Sequence, residues 1–367
     1  VTVPIATSIG ARAETIDAPS DPRWDAFVAS HEGASAYHLS AWATILRRSY
    51  GFSPRYLALV SAGSIEGVLP LMRRRGAVTG KRLRSLPMVG SVGPLARNPE
   101  GVRALLDAAC RMRHETGARE WTLRARESGY DELVRELRLA RRFQTWIAPL
   151  PEDTEQLRAG WKKTQNNLWR SLKKAEQRVG VRESTSPADL RRFYRLHAET
   201  ERRHRSLPRS WKLFRLSQEL LAPRGLYKLV VAEAGGDIVA GAVLVAWRDN
   251  IDLVYNASSE AHLDLRPNHA LYWHAIRWGA QNGYRTYNMG DAPAGGSLAA
   301  FKAQWGGVPT DRFEYHAGGT AGAADALRAA SNRMGARERR ESVASRIWGR
   351  TPLLLTQLAA DVVYRYL

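Results

Sequence analysis

Residues 227–247 read YKLVVAEAGGDIVAGAVLVAW. Two runs rich in β-branched residues, Tyr227–Glu233 and Ile238–Trp247, flank the turn Ala234–Asp237. Its Gly-Gly pair allows the positive φ that a tight hairpin needs. The first half repeats the pattern: Arg55–Ser61 reads as a strand, Ala62–Glu66 as a turn and Gly67–Met72 as a second strand. Each hairpin is followed by a helix that ends at glycine and leads into another strand. These are Val102–Thr116, Gly117 and Trp121–Arg124 in the first half, and His269–Asn282, Gly283 and Thr286–Met289 in the second. A glycine just past a helix provides the left-handed residue that closes it. One order of elements read twice predicts two α/β (α+β) domains of one topology, each a mixed sheet flanked by helices. They span 10–150 and 151–320, joined near Pro149–Asp153 where proline and acidic residues interrupt the pattern.

The second half opens on a helical periodicity from a Thr154 cap to Arg178, with basic residues on its exposed faces, and continues with a helix over Pro187–Arg203 behind a Ser186 cap. Residues 321–367 read as a helical tail, with Leu353–Leu367 amphipathic. That segment suits docking onto the body, or weak contact with an anionic membrane surface.

The chain has 367 residues, 44% of them hydrophobic, which fits packed cores rather than a disordered chain. No uncharged apolar run is long enough to span a bilayer, and residues 1–12 do not read as a secretory signal. The single cysteine, Cys110, falls in a helical pattern and reads as a small core residue. It excludes an internal disulfide and paired-cysteine metal sites, so a reducing, cytoplasmic setting is expected. The formal net charge is +19. It is concentrated between Gln156 and Arg215, where 17 Lys and Arg face 5 Asp and Glu. A solvated surface mixes signs, whereas a one-sided excess suits RNA phosphates, a nucleotide-linked substrate or an anionic membrane.

Three stretches carry candidate chemistry. The first is Asn167-Leu168-Trp169-Arg170-Ser171-Leu172-Lys173-Lys174-Ala175-Glu176, followed by Gly180-Val181. The second is His197-Ala198-Glu199-Thr200-Glu201-Arg202-Arg203-His204, ahead of Leu207-Pro208. The third joins Asn288-Met289-Gly290-Asp291 to Gly295-Gly296-Ser297, then Phe301-Lys302 and Trp305-Gly306-Gly307. Here a strand end meets a glycine-rich loop, Ser297 is placed to cap a short helix, and Lys302 follows. Glycines allow close backbone approach to a ligand, and a helix start near a lysine suits a phosphate or an oxyanion. The same stretch also reads as a strand–turn–helix junction with a solvated lysine.

In this order and spacing the three stretches resemble the second domain of the FemA/FemB/FemX (FemABX) aminoacyltransferases, over about residues 155–315. Ser40-Ala41-Trp42 and the strand pattern fit the first domain more weakly. The resemblance implies two tandem GNAT-like acyltransferase domains. It also implies transfer of an amino acid from aminoacyl-tRNA onto an amine, typically on a peptidoglycan precursor, in cell wall biogenesis. It points to Lys302 as the lysine near phosphate and the reacting region, and to Phe301 as a pocket wall. The acid of the strand end follows the glycine here, Gly290-Asp291, where the family has the reverse order.

Aminoacyl transfer needs the two substrates held together, the oxyanion stabilised, and a proton moved from the attacking amine toward the leaving 3′-oxygen. Lys302 and Asp291 are the expected catalytic residues, Asp291 as a carboxylate in the proton relay. Tyr255, Asn256, His197, Glu199, Arg203, Gly295, Gly296, Ser297 and Phe301 are expected to line the substrate site. Arg170, Lys173 and Lys174 are expected to hold tRNA or phosphate, although a basic helix face is often merely solvated. No cofactor and no metal are expected, because no Gly-x-Ser-x-Gly elbow and no His-Glu-x-x-His motif occurs.

Two rivals stand beside this reading. One is a CoA-dependent GNAT N-acyltransferase acting on a cell-envelope or polysaccharide precursor. Its pyrophosphate turn would be Leu263–Ala270, which has no glycine and loses a donor at Pro267. The other is a non-enzymatic RNA-binding protein, supported by charge alone.

Overall fold

The computed structural model describes residues 11–76 and 80–319. Those residues form two compact units. Unit 1 comprises the chain up to Phe143 together with the segment from Asp311, and unit 2 comprises Gln144–Thr310. The chain therefore leaves unit 1 inside a strand, ahead of the Pro149–Asp153 junction expected from composition. The expected tail 321–367 and its Leu353–Leu367 helix lie outside the described residues.

Unit 1 begins with β1 (Arg12–Ile16), α1 (Pro22–Ser30) and α2 (Ala41–Tyr50). Asp21 caps α1 by accepting the Arg23 N–H, and Pro22 occupies the first turn, where no donor is lost. β2 (Ser53–Pro54), β3 (Tyr56–Ser61) and β4 (Ser64–Leu69) follow. The β3–β4 hairpin turns through Ala62 and Gly63, both at positive φ. The expected strand Gly67–Met72 is two strands: Pro70, with no N–H, ends β4, and β5 (Leu71–Gly76) starts beyond it. Then come β6 (Gly80–Ser85), β7 (Leu95–Ala96), α3 (Pro99–Glu115), β8 (Glu120–Ala125), α4 (Tyr130–Leu133) and β9 (Leu137–Pro149). One sheet runs β1-β3-β4-β7, while β2, β5, β6 and β8 follow one another in a second. Gly117 leaves α3 at φ +63. Leu105, Leu106, Ala109 and the buried thiol of Cys110 pack from α3 onto Leu83, Trp121 and Leu123. Burial pushes that thiol up to about 12, as a packing cysteine requires.

Unit 2 contains α5 (Thr154–Thr164), α6 (Asn166–Arg178), β10 (Gly180–Ser184), α7 (Pro187–Arg203) and α8 (Trp211–Leu221). It continues with β11 (Tyr227–Ala234), β12 (Asp237–Trp247), β13 (Asn250–Ser258), α9 (Pro267–Gln281), β14 (Thr286–Asp291) and α10 (Ser297–Gln304). β15 (Val308–Gly318) carries the chain back, and its residues from Phe313 pair with β8. The helix expected over 154–178 is broken at Gln165 (φ −140°), and its N-cap is Asp153, which accepts the N–H groups of Glu155 and Gln156. Ser186 caps α7 as its sequence position suggests.

The sheet order is β10-β11-β12-β13-β14-β9, antiparallel except for the parallel pair β13/β14. Unit 1 has the same device, since β6 and β8 are parallel and α3 intervenes between them. Strand, two helices, a hairpin, a helix and a parallel strand thus occur in both units. α9 and α6 cover one face of the unit 2 sheet, burying Leu172, Leu244, Ile251, Trp273 and Ile276. Among the described residues no helix is long and apolar enough to cross a membrane.

Candidate active site

The parallel ladder between β13 and β14 covers only Asn250–Asp252 against Thr286–Asn288. Beyond it the strands part, and their C-terminal ends open a notch in the unit 2 sheet. A chain of side-chain amides and carboxylate fixes the point of divergence. Asn288 Nδ2 and Asn250 Nδ2 donate to Asp252 Oδ1 at 2.8 and 3.0 Å, and Thr145 donates to Asn288 Oδ1 at 2.7 Å. The same Asn288 oxygen accepts the Gly290 N–H at 2.9 Å. Gly290 has φ +81°, and a Cβ there would lie 3.6 Å from Leu253 O and 3.9 Å from Lys302 Nζ. Glycine allows the backbone to turn out of the ladder at that position.

Lys302 differs most from expectation. Its spacing suggested an amine projecting toward a ligand, but it is 3% exposed and donates to Gly290 O at 2.8 Å and Asp291 O at 3.0 Å. Burial lowers its pKa to about 8, partly offset by the Asp291 carboxylate. Two of its three donors are committed to main chain, so it ties α10 to the end of β14. The Asp291 side chain is exposed at the mouth of the notch.

The glycine-rich loop also departs from its reading. Gly296 holds the N-cap position of α10, and Ser297 is its first residue with no capping bond, so the expected Ser297 cap is corrected. Gly295 supplies the positive φ, at +79°. Phe301 packs edge-on against His269 and Tyr272 at 5.2 and 5.0 Å between centroids, next to Trp305. It forms a wall, as expected of it.

The other wall comes from α7 and α8. His197 is 3% exposed, with its ring against Tyr255 (5.5 Å) and Phe214 (5.0 Å). Its Nε2 accepts the Arg209 N–H at 3.2 Å, which assigns the proton to Nδ1, 4.0 Å from Glu201. Burial, and secondarily Arg209, lower its pKa to about 3, so the ring is neutral. Glu199 does not join it: two residues along a helix point to different faces, and Glu199 is exposed. Arg203 donates to Ser258 O at 3.0 Å and to Thr200 Oγ1 at 3.2 Å, clamping the end of β13. Asn256 Nδ2 donates to Gly241 O at 3.3 Å within the sheet.

Sequence reasoning missed Asn268 and His269 at the start of α9, and the Asp252–Asn288–Thr145 chain. Asn268 Nδ2 reaches Ser258 Oγ at 3.3 Å, and burial, with Arg266 nearby, lowers the His269 pKa to about 4. The signal available was a polar residue at alternate positions of otherwise apolar strands. Arg170, Lys173 and Lys174 are exposed on α6, with Lys173 Nζ 5.3 Å from the Trp169 ring. Among the described residues no group of three or more His, Cys, Asp or Glu is arranged to hold a metal.

Comparison with known proteins follows this geometry. The acetyltransferase (GNAT) domain model matches residues 162–303. No curated protein matches the chain. The crystal structure of FemX superposes with a TM-score of 0.65 at 17% identity, covering 82% of this chain and 96% of FemX. A tandem GNAT protein from the clavulanic acid biosynthesis pathway gives 0.54 at 14% identity, covering 84% and 98%. L-PGS from Bacillus licheniformis gives 0.52 at 15% identity, covering 86% and 97%. The chain is an acyltransferase by its GNAT domain, carried in a FemX-like tandem GNAT fold.

Proposed function

We propose that this acyltransferase moves an amino acid from aminoacyl-tRNA onto an amine-bearing acceptor, a peptidoglycan precursor or related small molecule, in the cytoplasm and without a cofactor. The observation that carries the reading is the start of α9, where a CoA pyrophosphate would need backbone donors. Pro267 has none, and the His269 and Ala270 N–H groups turn back onto Arg266 O at 2.9 and 3.4 Å. Exposed basic residues along α5 and α6 support a polyanionic donor instead.

The reaction is direct attack of a neutral amine on the aminoacyl ester. The notch between β13 and β14 holds the ester carbonyl where diverging strands leave main-chain groups unpaired. Asp291, exposed at its mouth, receives the ammonium proton. Lys302 acts as a positioning residue: it fixes the carbonyls of Gly290 and Asp291, and thereby the direction of the Asp291 carboxylate. Phe301 and Tyr255 border the site and exclude water, while neutral His197 supports Tyr255 from behind. Arg170, Lys173 and Lys174 hold tRNA phosphates.

The matched acetyltransferase model favours a second reading, N-acyl transfer from CoA to a cell-envelope precursor. Incubation with charged total tRNA, or with acetyl-CoA, plus candidate amines separates the two by mass spectrometry of the products. Amino-acid mass increments that vanish after ribonuclease treatment are expected. Acetyl-CoA-dependent increments alone would install the second reading.

A further inference from the structure

One face of the second sheet of unit 1 is polar and rich in arginine. The face toward α3 carries Leu83, Trp121, Leu123 and Tyr315. At the registered positions of the opposite face stand Arg74, Arg82, Arg84 and Arg124, against two carboxylates, Glu120 and Glu314.

The carboxylates are already engaged. Glu314 Oε2 accepts from Arg124 Nε at 2.7 Å and lies 3.6 Å from Arg84, and its other oxygen meets His316 Nε2 at 3.2 Å. Burial would raise the Glu314 carboxyl, but His316, Arg124 and Arg84 outweigh it and hold it well below the usual range. Glu120 accepts the Thr122 hydroxyl at 2.6 Å and lies 4.0 Å from His316. Arg82 has no ion-pair partner among the described residues, and its Nε is buried without an acceptor. It stands directly opposite Arg74 in the β5/β6 ladder. Like charges placed so destabilise a sheet.

This is not a solvated face. Arg74 is 8% exposed and lies over the Phe52 ring at 5.0 Å, and the Arg84 and Arg124 side chains are 19% and 25% exposed. Arg124 and Arg141 both stack on Phe143, at 4.8 and 5.3 Å. Guanidiniums withdrawn from water and set against one another call for an anion. The excess of two positive charges matches a phosphoryl group, which carries close to two negative charges and takes the guanidinium fork in a bidentate way. A carboxylate would neutralise only half of it.

We propose that this face of unit 1 is a phosphate-binding site, in which Arg82, with Arg74 and Arg84 beside it, grips a doubly charged phosphoryl group. The site stands apart from the notch in unit 2 and does not depend on the donor used there.

The test uses the full chain in a phosphate-free buffer at constant ionic strength. Inorganic phosphate and a nucleoside diphosphate are titrated separately, with chloride as the reference, by calorimetry and thermal shift. A saturable rise in Tm with either phosphate is expected. Preference for the diphosphate would mark a nucleotide-borne phosphoryl as the source, and equal affinity would mark free phosphate. Arg82→Gln should weaken binding at least tenfold while raising the ligand-free Tm, because it removes the repulsion with Arg74. Arg82→Lys, which keeps charge but loses the fork, should weaken binding severalfold. Arg195→Gln, on exposed α7, should bind as wild type. No phosphate-specific shift, or unchanged affinity in Arg82→Gln and Arg82→Lys, overturns the proposal. A lower ligand-free Tm in Arg82→Gln would make Arg82 structural and overturn it as well.

Discussion

A lysine whose ammonium donates to two main-chain carbonyls at a strand end titrates with the fold. The Lys302 pKa is about 8 in the folded chain, against a model value of 10.5. Between those values the unfolded chain keeps a proton that the folded chain has released. Stability therefore rises as pH climbs from about 8 to above 10, by on the order of 3 kcal/mol, and that increment is absent below 8. Chemical denaturation at pH 7.5, 9 and 10 should show this rise in the wild type and not in Lys302→Met. Parallel pH profiles would place the lysine in water. The residue was legible as important and not legible as buried. A lysine in a glycine-rich stretch reads as a solvated or ligand-facing charge, and only the φ of Gly290 and the return of α10 bring two carbonyls to its amine. Glu199 failed for a simpler reason: it shares a motif with His197 but not a helix face.

Elements tell a similar story at larger size. Both hairpins were readable because Ala-Gly and Gly-Gly sit between apolar runs, and the helices ending at Gly117 and Gly283 because glycine marks their exit. The break at Gln165 was not readable, since neither glycine nor proline announces it. β9 was read only as a junction, because its first half, Leu137–Arg142, carries three arginines in six residues and lacks an apolar alternation. Close packing makes one strand position sensitive. A Cβ on Gly241 of β12 would lie 2.6 Å from Phe193 Cδ2 of α7 and 3.3 Å from Val230 O. Gly241→Ala should cost about 1–3 kcal/mol by overpacking, with much of the loss recovered when Phe193→Leu is added. Urea midpoints of the two single variants and the double variant check this, and an unaffected Gly241→Ala would mean that α7 simply shifts. On α6, reversing Arg170, Lys173 and Lys174 to Glu should lower tRNA affinity and flatten the salt dependence, by about two in the log–log slope. Filter binding between low and physiological salt measures it, and a slope equal to that of the wild type would remove α6 from the RNA interface.

For the whole molecule, acid is the common stress. His38 in unit 1 and His197 in unit 2 have pKa values lowered to about 3, chiefly by burial. Each is neutral when folded and has a model value of 6.5. As pH falls below 6.5 the unfolded chain takes up protons that the folded chain refuses, so stability present above 6.5 drains away toward pH 3. The loss reaches a few kcal/mol per ring. Tm measured from pH 7 to 4 should fall steadily, and less steeply in His38→Gln than in wild type. Equal slopes would assign the acid sensitivity to carboxylates alone.

Unit 2 is an uninterrupted run of chain set between two segments of unit 1, and this orders events in time. β8 is complete at Ala125, yet its neighbour in β15 begins to pair only at Phe313. At roughly 5–20 residues per second of synthesis, that edge waits some 10–40 seconds for its partner. During the wait all of unit 2 emerges and can close its own sheet. The segment begun first is thus the last to be finished, and a ribosome stalled near Thr310 would display a finished unit 2 beside an unfinished unit 1.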